Sequence, residues 1–123
     1  MRIGLMTAVT DSPDTSFDDI IEDAQKAEAE GFSAIWMANI FGLDAISTLS
    51  IMGRATKTIA LGTAVTPTYP RHPTALAQQA LTAAAASGNR FNLGIGLSHK
   101  VVIENMFGFS YDKPAQHMRE YLS

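Results

Sequence analysis

Six polar side chains stand where apolar runs of the sequence end. They are Thr7, Asn39, Thr63, Thr66, Ser98 and His99. Their hydroxyl, amide and imidazole groups could together hydrogen-bond a planar heteroaromatic ligand held between apolar walls. Alternatively, the same groups satisfy backbone N–H and C=O groups where strands end. The residue types alone leave both interpretations open.

Sequence motifs for several other chemistries are incomplete. The chain has no cysteine, which excludes a disulfide framework, a zinc–thiolate site and a cysteine nucleophile. Gly94-Ile95-Gly96 begins a dinucleotide-binding fingerprint, but His99 stands at the position of the third glycine. Lys100 likewise replaces the second glycine of a nucleophile elbow around Ser98. We therefore expect neither a Rossmann site nor a serine hydrolase.

The titratable residues do not indicate a metal centre or an acid–base pair. The histidines at positions 72, 99 and 117 match no metal-ligand spacing, and we expect His117 to lie on the surface of a terminal helix. His99 and Glu104 could form an acid–base pair, but a solvated pair is favoured. The carboxylates at positions 11, 14, 18 and 19 are explained by helix capping and the helix dipole. No metal and no catalytic residue is predicted.

Four strand-then-helix units must position the polar residues. Strands are predicted at residues 2–9, 33–38, 58–65 and 91–97. Helices are predicted to begin after Ser16 and Asp44, at Pro73 and near Pro114, with stops at Gly31, Thr56 and Gly88. Apolar strands alternating with helices predict an α/β fold with a parallel sheet. Its functional face is built by the loops after the strands, residues 7–15, 39–43, 66–72 and 98–113.

Two further segments have unusual composition. The helix at residues 73–86 is mostly alanine on its packing face, which predicts close approach to the sheet or to another helix. The loop at residues 106–111 carries three aromatic side chains, which could line a pocket, cover the core or contact a partner. Packing is the favoured interpretation, because long structureless loops are unusual in compact domains.

Length and charge bound the class of protein. The chain has 123 residues, is 46% hydrophobic and carries a formal charge of −3. This is the size of one domain, and the negative net charge does not indicate binding to nucleic acid. No apolar stretch approaches the length of a membrane span, and the N-terminus lacks the pattern of a signal peptide. We expect a cytoplasmic protein without a nucleic-acid or membrane partner.

Several segments together resemble the bacterial luciferase-like superfamily. The similarity covers essentially the whole chain and is closest to the branch of oxidoreductases that use coenzyme F-420, a deazaflavin. The segments that carry it are residues 2–9, 34–42, 59–67, 71–81, 92–99 and 119–122.

This resemblance implies a TIM barrel of (β/α) units, of which residues 1–123 supply about four, as a single domain incomplete at its C-terminus. It also implies a cofactor at the barrel mouth, coenzyme F-420 or alternatively FMN. Asn39 would contact the cofactor ring. The backbone at Thr63, Ala64 and Val65 would support the ring through a non-prolyl cis peptide, and Ser98 would face the cofactor side chain or its phosphate. The substrate pocket would include Thr7, Thr66 and His99. Some deazaflavin enzymes have a histidine at the end of the second strand. This chain has Asn39-Ile40 there, so the acid–base role of that histidine has no candidate.

The implied function is hydride transfer between coenzyme F-420 and a small-molecule substrate, with this chain as the N-terminal part of the enzyme. An FMN-dependent monooxygenase of the same superfamily is the first alternative. A non-catalytic half-barrel that serves binding or assembly is the second, and this chain alone would then be inactive. Half of a barrel has two open strand edges and an uncovered apolar inner face, which predicts a homodimer or higher oligomer.

Overall fold

The computed structural model of this chain describes residues 1–7 and 16–123. Its strands are β1 (Gly4–Thr7), β2 (Ala34–Met37), β3 (Ala60–Thr63), β4 (Thr66–Pro67), β5 (Phe91–Asn92) and β6 (Ile95–Gly96). Its helices are α1 (Phe17–Ala29), α2 (Ala45–Ala55), α3 (Pro73–Ala86), α4 (Lys100–Asn105) and α5 (Pro114–Tyr121). Residues 8–9 of the predicted first strand, the acidic residues Asp11 and Asp14, and most of the first predicted loop lie outside the described residues.

The strands form a parallel sheet in the order β1-β2-β3-β5, and β4 and β6 form a second parallel pair. Leu5, Ile35 and Leu61 occupy one row across the first three strands. They pack with helix residues such as Ile20 and Leu49 in the main apolar core. Parallel strands require a crossover between neighbours, and the helices supply it. The predicted α/β class and parallel sheet are confirmed.

The predicted helix boundaries follow from local chemistry. The Ser16 hydroxyl accepts a hydrogen bond from the Asp19 N–H, and the Asp44 carboxylate accepts one from the Ser47 N–H. Such caps satisfy N–H groups that the first turn of a helix leaves free. Helix α3 begins at Pro73 and ends before Gly88, whose φ of +62° suits glycine. Asp18 and Asp19 lie in the first turn of α1, as the dipole interpretation predicts.

The alanine-rich helix α3 packs against α2. Leu76 and Ala83 of α3 are buried with Ile46 of α2 in a second apolar cluster. A Cβ added to Gly53 of α2 would lie 2.7 Å from the Cβ of Ser87, the C-cap of α3. The small residues therefore allow the close approach that the sequence predicts.

The two sides of the sheet differ in exposure: one side is buried against the helices, and the other is partly open. The ring of Trp36 lies over the glycines of the two neighbouring strands. A Cβ added to Gly62 would be 2.3 Å from this ring, and one added to Gly4 would be 3.3 Å from it. Met6 pairs with Trp36 in the register and is 62% exposed. This face corresponds to the inside of a barrel, and in the described part of the chain it is only partly covered.

Polar side chains seal the edge where the strands begin, which we call the amino edge. The Glu28 carboxylate accepts hydrogen bonds of 2.6 to 3.1 Å from the N–H groups of Lys57, Thr58 and Ile59 and from the Thr58 hydroxyl. Burial would raise its pKa, but these hydrogen bonds outweigh burial and lower the pKa to about 2.

Arg90 completes the amino edge from the other side. Its guanidinium donates to the carbonyls of Gly53, Thr56 and Ile59 and to the Thr56 hydroxyl. The Gly53 and Thr56 carbonyls belong to the C-terminal end of α2, where a cation is favourable. Glu28 and Arg90 together fix the turn between α2 and β3.

Two strand predictions and two loop predictions need correction. The apolar run at 91–97 forms two short strands, β5 and β6, separated by residues 93–94. The run at 58–65 forms only β3, and after residues 64–65 the strand β4 begins in the segment predicted as a loop at 66–72. The connection at 98–113 contains the helix α4, which is too short to show helical periodicity in the sequence. No helix in the described ranges is long and apolar enough to cross a membrane.

Candidate functional site

The break between β3 and β4 is a cis peptide bond between Ala64 and Val65. Its surroundings are hydrogen-bonded on both sides. The Ala64 N–H donates to the Met37 carbonyl at 2.8 Å, and the Val65 carbonyl accepts from the Asn39 N–H at 3.4 Å. The bond is thus held by the end of β2. Val65 itself is 42% exposed, at the edge where the strands end, which we call the carboxyl edge.

The break between β5 and β6 matches the first break. The Thr63 hydroxyl donates to the Gly94 carbonyl at 2.7 Å and accepts from the Gly94 N–H at 2.9 Å. At this point the Thr63 side chain, and not its backbone, forms the hydrogen bonds that join the end of β3 to the segment after β5. The Gly94 carbonyl also accepts from the Thr66 N–H at 2.8 Å, where the pairing of β4 with β6 begins.

Glycines let the two broken strands approach. A Cβ at Gly94 would lie 2.0 Å from the Thr63 carbonyl oxygen, and a Cβ at Gly96 would lie 2.4 Å from a methyl group of Val65. Real Cβ atoms essentially never come within 3.0 Å of such neighbours. The Gly94-Ile95-Gly96 motif therefore serves close packing against the cis peptide, not the turn of a dinucleotide site.

A cavity of about 330 Å³ opens at the carboxyl edge, beside Val65. Its volume is near the lower end of the roughly 300–1,000 Å³ that small-molecule sites occupy. Most of its walls are apolar, and its polar groups are few. It is lined by Ala38, Asn39, Ile40, Phe41, Val65, Pro67, Pro70, Arg71, Ser98, His99, Val102 and Phe107. An apolar cavity with a few polar groups suits a flat, partly polar ring.

Asn39 and Arg71 form a polar network on the cavity wall. The Asn39 Oδ1 atom accepts from the Ala45 N–H at 3.1 Å and from the Arg71 guanidinium at 3.5 Å. Arg71 also forms a 2.8 Å ion pair with Asp44. Burial would raise the pKa of Asp44, but the hydrogen bonds from Ser47 and the charge of Arg71 lower it. Asp44 thus stays ionised beside Arg71 at neutral pH.

Ser98 and His99 also line the cavity, immediately before α4. Ser98 has a φ of +60°, a left-handed conformation that few residues other than glycine adopt. Its carbonyl accepts from the Tyr111 hydroxyl at 3.1 Å. Glu104 forms an ion pair with Lys100 at 3.7 Å. This partner differs from His99, which both interpretations of a His99–Glu104 pair require.

The predicted site residues separate into two groups. The cavity lining includes Asn39, Val65, Ser98 and His99. Thr7, Thr63, Ala64 and Thr66 are outside that lining in the described part of the chain. For Thr63 and Ala64 the predicted contribution is through the backbone, which is continuous with Val65 at the cavity. The substrate-pocket roles of Thr7 and Thr66 stay predictions.

Thr7 and Thr63 lie outside the cavity lining because side chains alternate between the two faces along a strand. Thr7 and Thr63 are in register with Met37, which packs against the helices. Thr7 accordingly borders a different cavity, between the sheet and α1. Thr66 is fully buried, and its hydroxyl has no hydrogen-bond partner among the described residues.

A stack of aromatic rings holds the last helix against the loop after β4. The ring of His117 lies parallel to Tyr69 with centroids 3.9 Å apart, and its Nε2 atom is 3.0 Å from the Thr68 hydroxyl oxygen. Tyr111 stacks on Tyr69, and the Tyr121 hydroxyl donates to the Arg71 carbonyl at 2.9 Å. The expectation that His117 is a simple surface residue was wrong, because it is half-buried in this stack.

Burial raises the pKa of two tyrosines in this region. For Tyr69, burial acts together with the neighbouring Tyr111 and Asp112. For Tyr121, burial outweighs the opposing charge of Arg71. Both hydroxyls therefore remain protonated at neutral pH, and Tyr121 keeps its proton for the bond to Arg71.

The aromatic loop at 106–111 does not pack as expected. Tyr111 joins the stack, but Met106, Phe107 and Phe109 are 59%, 38% and 47% exposed. Phe107 lines the cavity, so the pocket-lining alternative applies to that residue.

Several cavity-lining residues were not among the sequence candidates. They are Ile40, Phe41, Pro67, Pro70, Arg71 and Val102. Their common signal is an apolar or cationic residue in a segment predicted as a loop after a strand, whereas the sequence candidates were mainly the polar residues at strand ends.

The described ranges contain no group of three or more side chains that could hold a metal ion.

Comparisons with known proteins agree with this geometry. The family described as luciferase-like monooxygenase matches residues 1–123. A protein of Mycobacterium tuberculosis, provisionally named a coenzyme F-420-dependent oxidoreductase, is 40% identical over 96 residues, which are 78% of this chain and 28% of that protein. The chain thus spans less than a third of the length of this relative.

Two solved structures show the same fold. The coenzyme F-420-dependent tetrahydromethanopterin reductase of Methanopyrus kandleri superposes with a TM-score of 0.75 at 26% identity, over 89% of this chain and 30% of that one. The oxygenating constituent of 3,6-diketocamphane monooxygenase from Pseudomonas putida, a type II Baeyer-Villiger enzyme in complex with FMN, gives 0.85 at 20% identity, over 99% and 38%. The chain therefore has the fold of part of a luciferase-like TIM barrel.

Proposed function

Because this chain belongs to the luciferase-like monooxygenase family, we propose that its carboxyl-edge cavity holds the ring of a deazaflavin or flavin cofactor. The favoured cofactor is coenzyme F-420. The whole protein would then be an oxidoreductase that transfers hydride between coenzyme F-420 and a small organic substrate. The name of the 40% identical relative supports this choice.

One observation carries the proposal. The cavity beside the Ala64–Val65 cis peptide is apolar and has the volume of a small-molecule site. A tricyclic ring has two apolar faces and a polar rim, and the lining offers Val65 and Phe41 for the faces and Asn39 for the rim. The residues present therefore fit such a ring.

When bound, the cofactor supplies the hydride chemistry, and the protein supplies orientation and electrostatics. In this chain Val65 would support one face of the ring. Phe41 would contact the other face, and Ile40 and Phe107 would exclude water from the edges of the ring. Asn39 would orient the ring through a hydrogen bond, and the backbone at Ser98 would shape part of the wall.

The test is an equilibrium titration of the purified chain with oxidised coenzyme F-420 and with FMN, followed by ligand fluorescence. Saturable binding of the deazaflavin with weaker binding of FMN is expected. Preferential binding of FMN would favour the monooxygenase alternative. Absence of binding to both would contradict the proposal and favour a non-catalytic half-barrel.

A pair of variants places the binding at the cavity. Val65→Asp introduces a charge into the apolar wall and is expected to weaken binding at least about tenfold, because an unpaired carboxylate would be desolvated by the ring. Ile51→Asp is the matched control, since Ile51 is a β-branched residue on α2 that is 37% exposed, close to the 42% of Val65. Ile51 lies outside the cavity lining. Equal losses in both variants would contradict the assignment.

Assembly is a second part of the proposal. The inner face of the sheet carries Trp36 and the exposed Met6, and β1 is an edge strand in the described part. Open edges and apolar faces favour association. We therefore propose a homodimer or higher oligomer. Sedimentation velocity is expected to show a concentration-dependent increase in mass, and a monomer at every concentration would contradict this part.

A further inference from the structure

The orientation of the Asn39 amide is determined by its two partners. The Ala45 backbone N–H and the Arg71 guanidinium can only donate hydrogen bonds. Both lie against the same Asn39 atom, at 3.1 and 3.5 Å. That atom must therefore be the oxygen, and the amide nitrogen must occupy the other position. The usual ambiguity of an asparagine amide does not arise here.

The two donors are themselves held in place. Ala45 is the first residue of α2, so its N–H belongs to the helix N-terminus and has no partner within the helix. Arg71 is fixed at both ends, because its guanidinium pairs with Asp44 at 2.8 Å and its carbonyl accepts from the Tyr121 hydroxyl at 2.9 Å. Asp44 is in turn the N-cap of α2. A rotation of the Asn39 amide would place its NH₂ group against both donors.

We infer that Arg71 is a positioning residue, which together with the N-terminus of α2 turns the Asn39 Nδ2 donors toward the cavity. The cavity then selects a ligand that presents a hydrogen-bond acceptor at Asn39, such as a ring carbonyl or an imine nitrogen. A ligand with a donor at that position would be rejected. The inference rests on the proposed function only in that coenzyme F-420 and FMN are the ligands used in the binding tests.

The first test changes the donor and keeps the shape. Asn39→Asp keeps an oxygen for Ala45 and Arg71 but replaces the NH₂ group by a second acceptor. We expect an unchanged or higher melting temperature, and binding of coenzyme F-420 or FMN, whichever binds the wild type, weakened about 10- to 100-fold. Binding equal to that of the wild type would overturn the inference, because Asn39 would then serve only as a helix cap.

The second test separates positioning from a structural role of Arg71. Arg71→Met is expected to weaken binding about three- to tenfold in the wild type and to have no further effect in an Asn39→Ala background. A structural role alone would weaken binding equally in both backgrounds and would overturn the inference. Arg71→Lys is expected to restore part of the loss, since a lysine also donates but lacks the planar fork.

A third measurement stays informative if the wild type binds neither cofactor, which would contradict the proposed function. In the nuclear magnetic resonance spectrum of the free protein, the side-chain NH₂ protons of Asn39 should exchange rapidly with solvent, and the Ala45 amide proton should be protected. In Arg71→Met the two Nδ2 proton signals should shift or broaden. Protected Nδ2 protons in the wild type would overturn the inference regardless of any ligand.

Discussion

The two edges of the sheet use their polar groups in opposite ways. At the amino edge, Glu28 and Arg90 form hydrogen bonds mainly with backbone groups at the end of α2 and in the turn between α2 and β3. At the carboxyl edge, Asn39 and Arg71 hold one another beside an apolar cavity whose walls are partly exposed. Polar residues at the first edge stabilise the fold, while those at the second line the cavity that we propose as the binding site. TIM barrels divide stability and function in this way.

This comparison makes separate predictions for each edge. Substitutions at the amino edge should lower the free energy of unfolding and leave the cavity intact. Substitutions in the cavity wall should change binding and leave stability nearly unchanged. The exception is the contact between Thr63 and Gly94, which joins the end of β3 to the segment after β5. A substitution there should change both stability and binding.

The largest effect is expected at that contact, from Gly94→Ala. The added methyl group would lie 2.0 Å from the Thr63 carbonyl oxygen, so the backbone must move. We expect a loss of about 3 kcal/mol or more in the free energy of unfolding, measured by urea denaturation, together with a loss of ligand binding. Gly31→Ala is the control. Its methyl group meets open space at a φ of +84°, and it should cost about 1 kcal/mol. Similar losses in the two variants would contradict the close packing.

Arg90→Met should have the next largest effect. It removes donors from three carbonyl groups and a hydroxyl while retaining most of the apolar stem. The expected loss is about 2–3 kcal/mol in the free energy of unfolding. Affinity for the cofactor should stay within about twofold when it is measured well below the melting temperature. A variant that stays stable but binds poorly would reverse the assignment of the two edges.

Glu28→Gln should cost about 1–2 kcal/mol, because a neutral amide accepts weaker hydrogen bonds than a carboxylate. The pKa of Glu28 is lowered from 4.5 to about 2 in the folded chain. Its contribution is therefore complete above the unfolded value of 4.5 and is lost as the pH falls toward about 2.

Stability measured across this range of pH should consequently fall less steeply in Glu28→Gln than in the wild type. Glu30→Gln, on an exposed residue of the C-cap of α1, serves as the control and should follow the wild-type curve. Identical pH profiles for wild type and Glu28→Gln would show that the carboxylate does not stabilise the turn.

Phe41→Ser should have the smallest effect on stability. Phe41 lines the cavity and is 54% exposed, so its removal should change the free energy of unfolding by less than about 0.5 kcal/mol. Affinity for the cofactor should nevertheless fall severalfold, because an apolar wall is lost. A fluorescence titration and a thermal melt of the same sample measure both quantities. A destabilised variant with normal affinity would contradict the assignment.

The helices were the most predictable part of the fold. Asp44, Pro73 and Gly88 have local physical roles as cap, first-turn residue and left-handed stop, and they placed the ends of α2 and α3 correctly. Local chemistry of this kind depends on few neighbours and can be read from one sequence.

The cavity was less predictable, for two reasons. The apolar run at 58–65 gives no sign that the strand ends at Thr63. There the Thr63 hydroxyl bonds to Gly94, 31 residues away in the break between β5 and β6. The sequence argument also did not assign Thr7 and Thr63 to a face of the sheet. Alternation from Leu5 and Leu61 places both residues on the helix side, as the register shows.

The most direct test of the comparison maps the ligand onto both edges at once. Amide chemical shifts of the labelled chain would be followed during titration with coenzyme F-420, and with FMN in parallel. The account predicts saturable shifts at residues 38–41, 65–71 and 98–107, with the amides of Lys57, Thr58 and Ile59 unmoved. Shifts concentrated around Glu28 and Arg90, or spread evenly over the chain, would contradict the assignment of the carboxyl edge as the binding site.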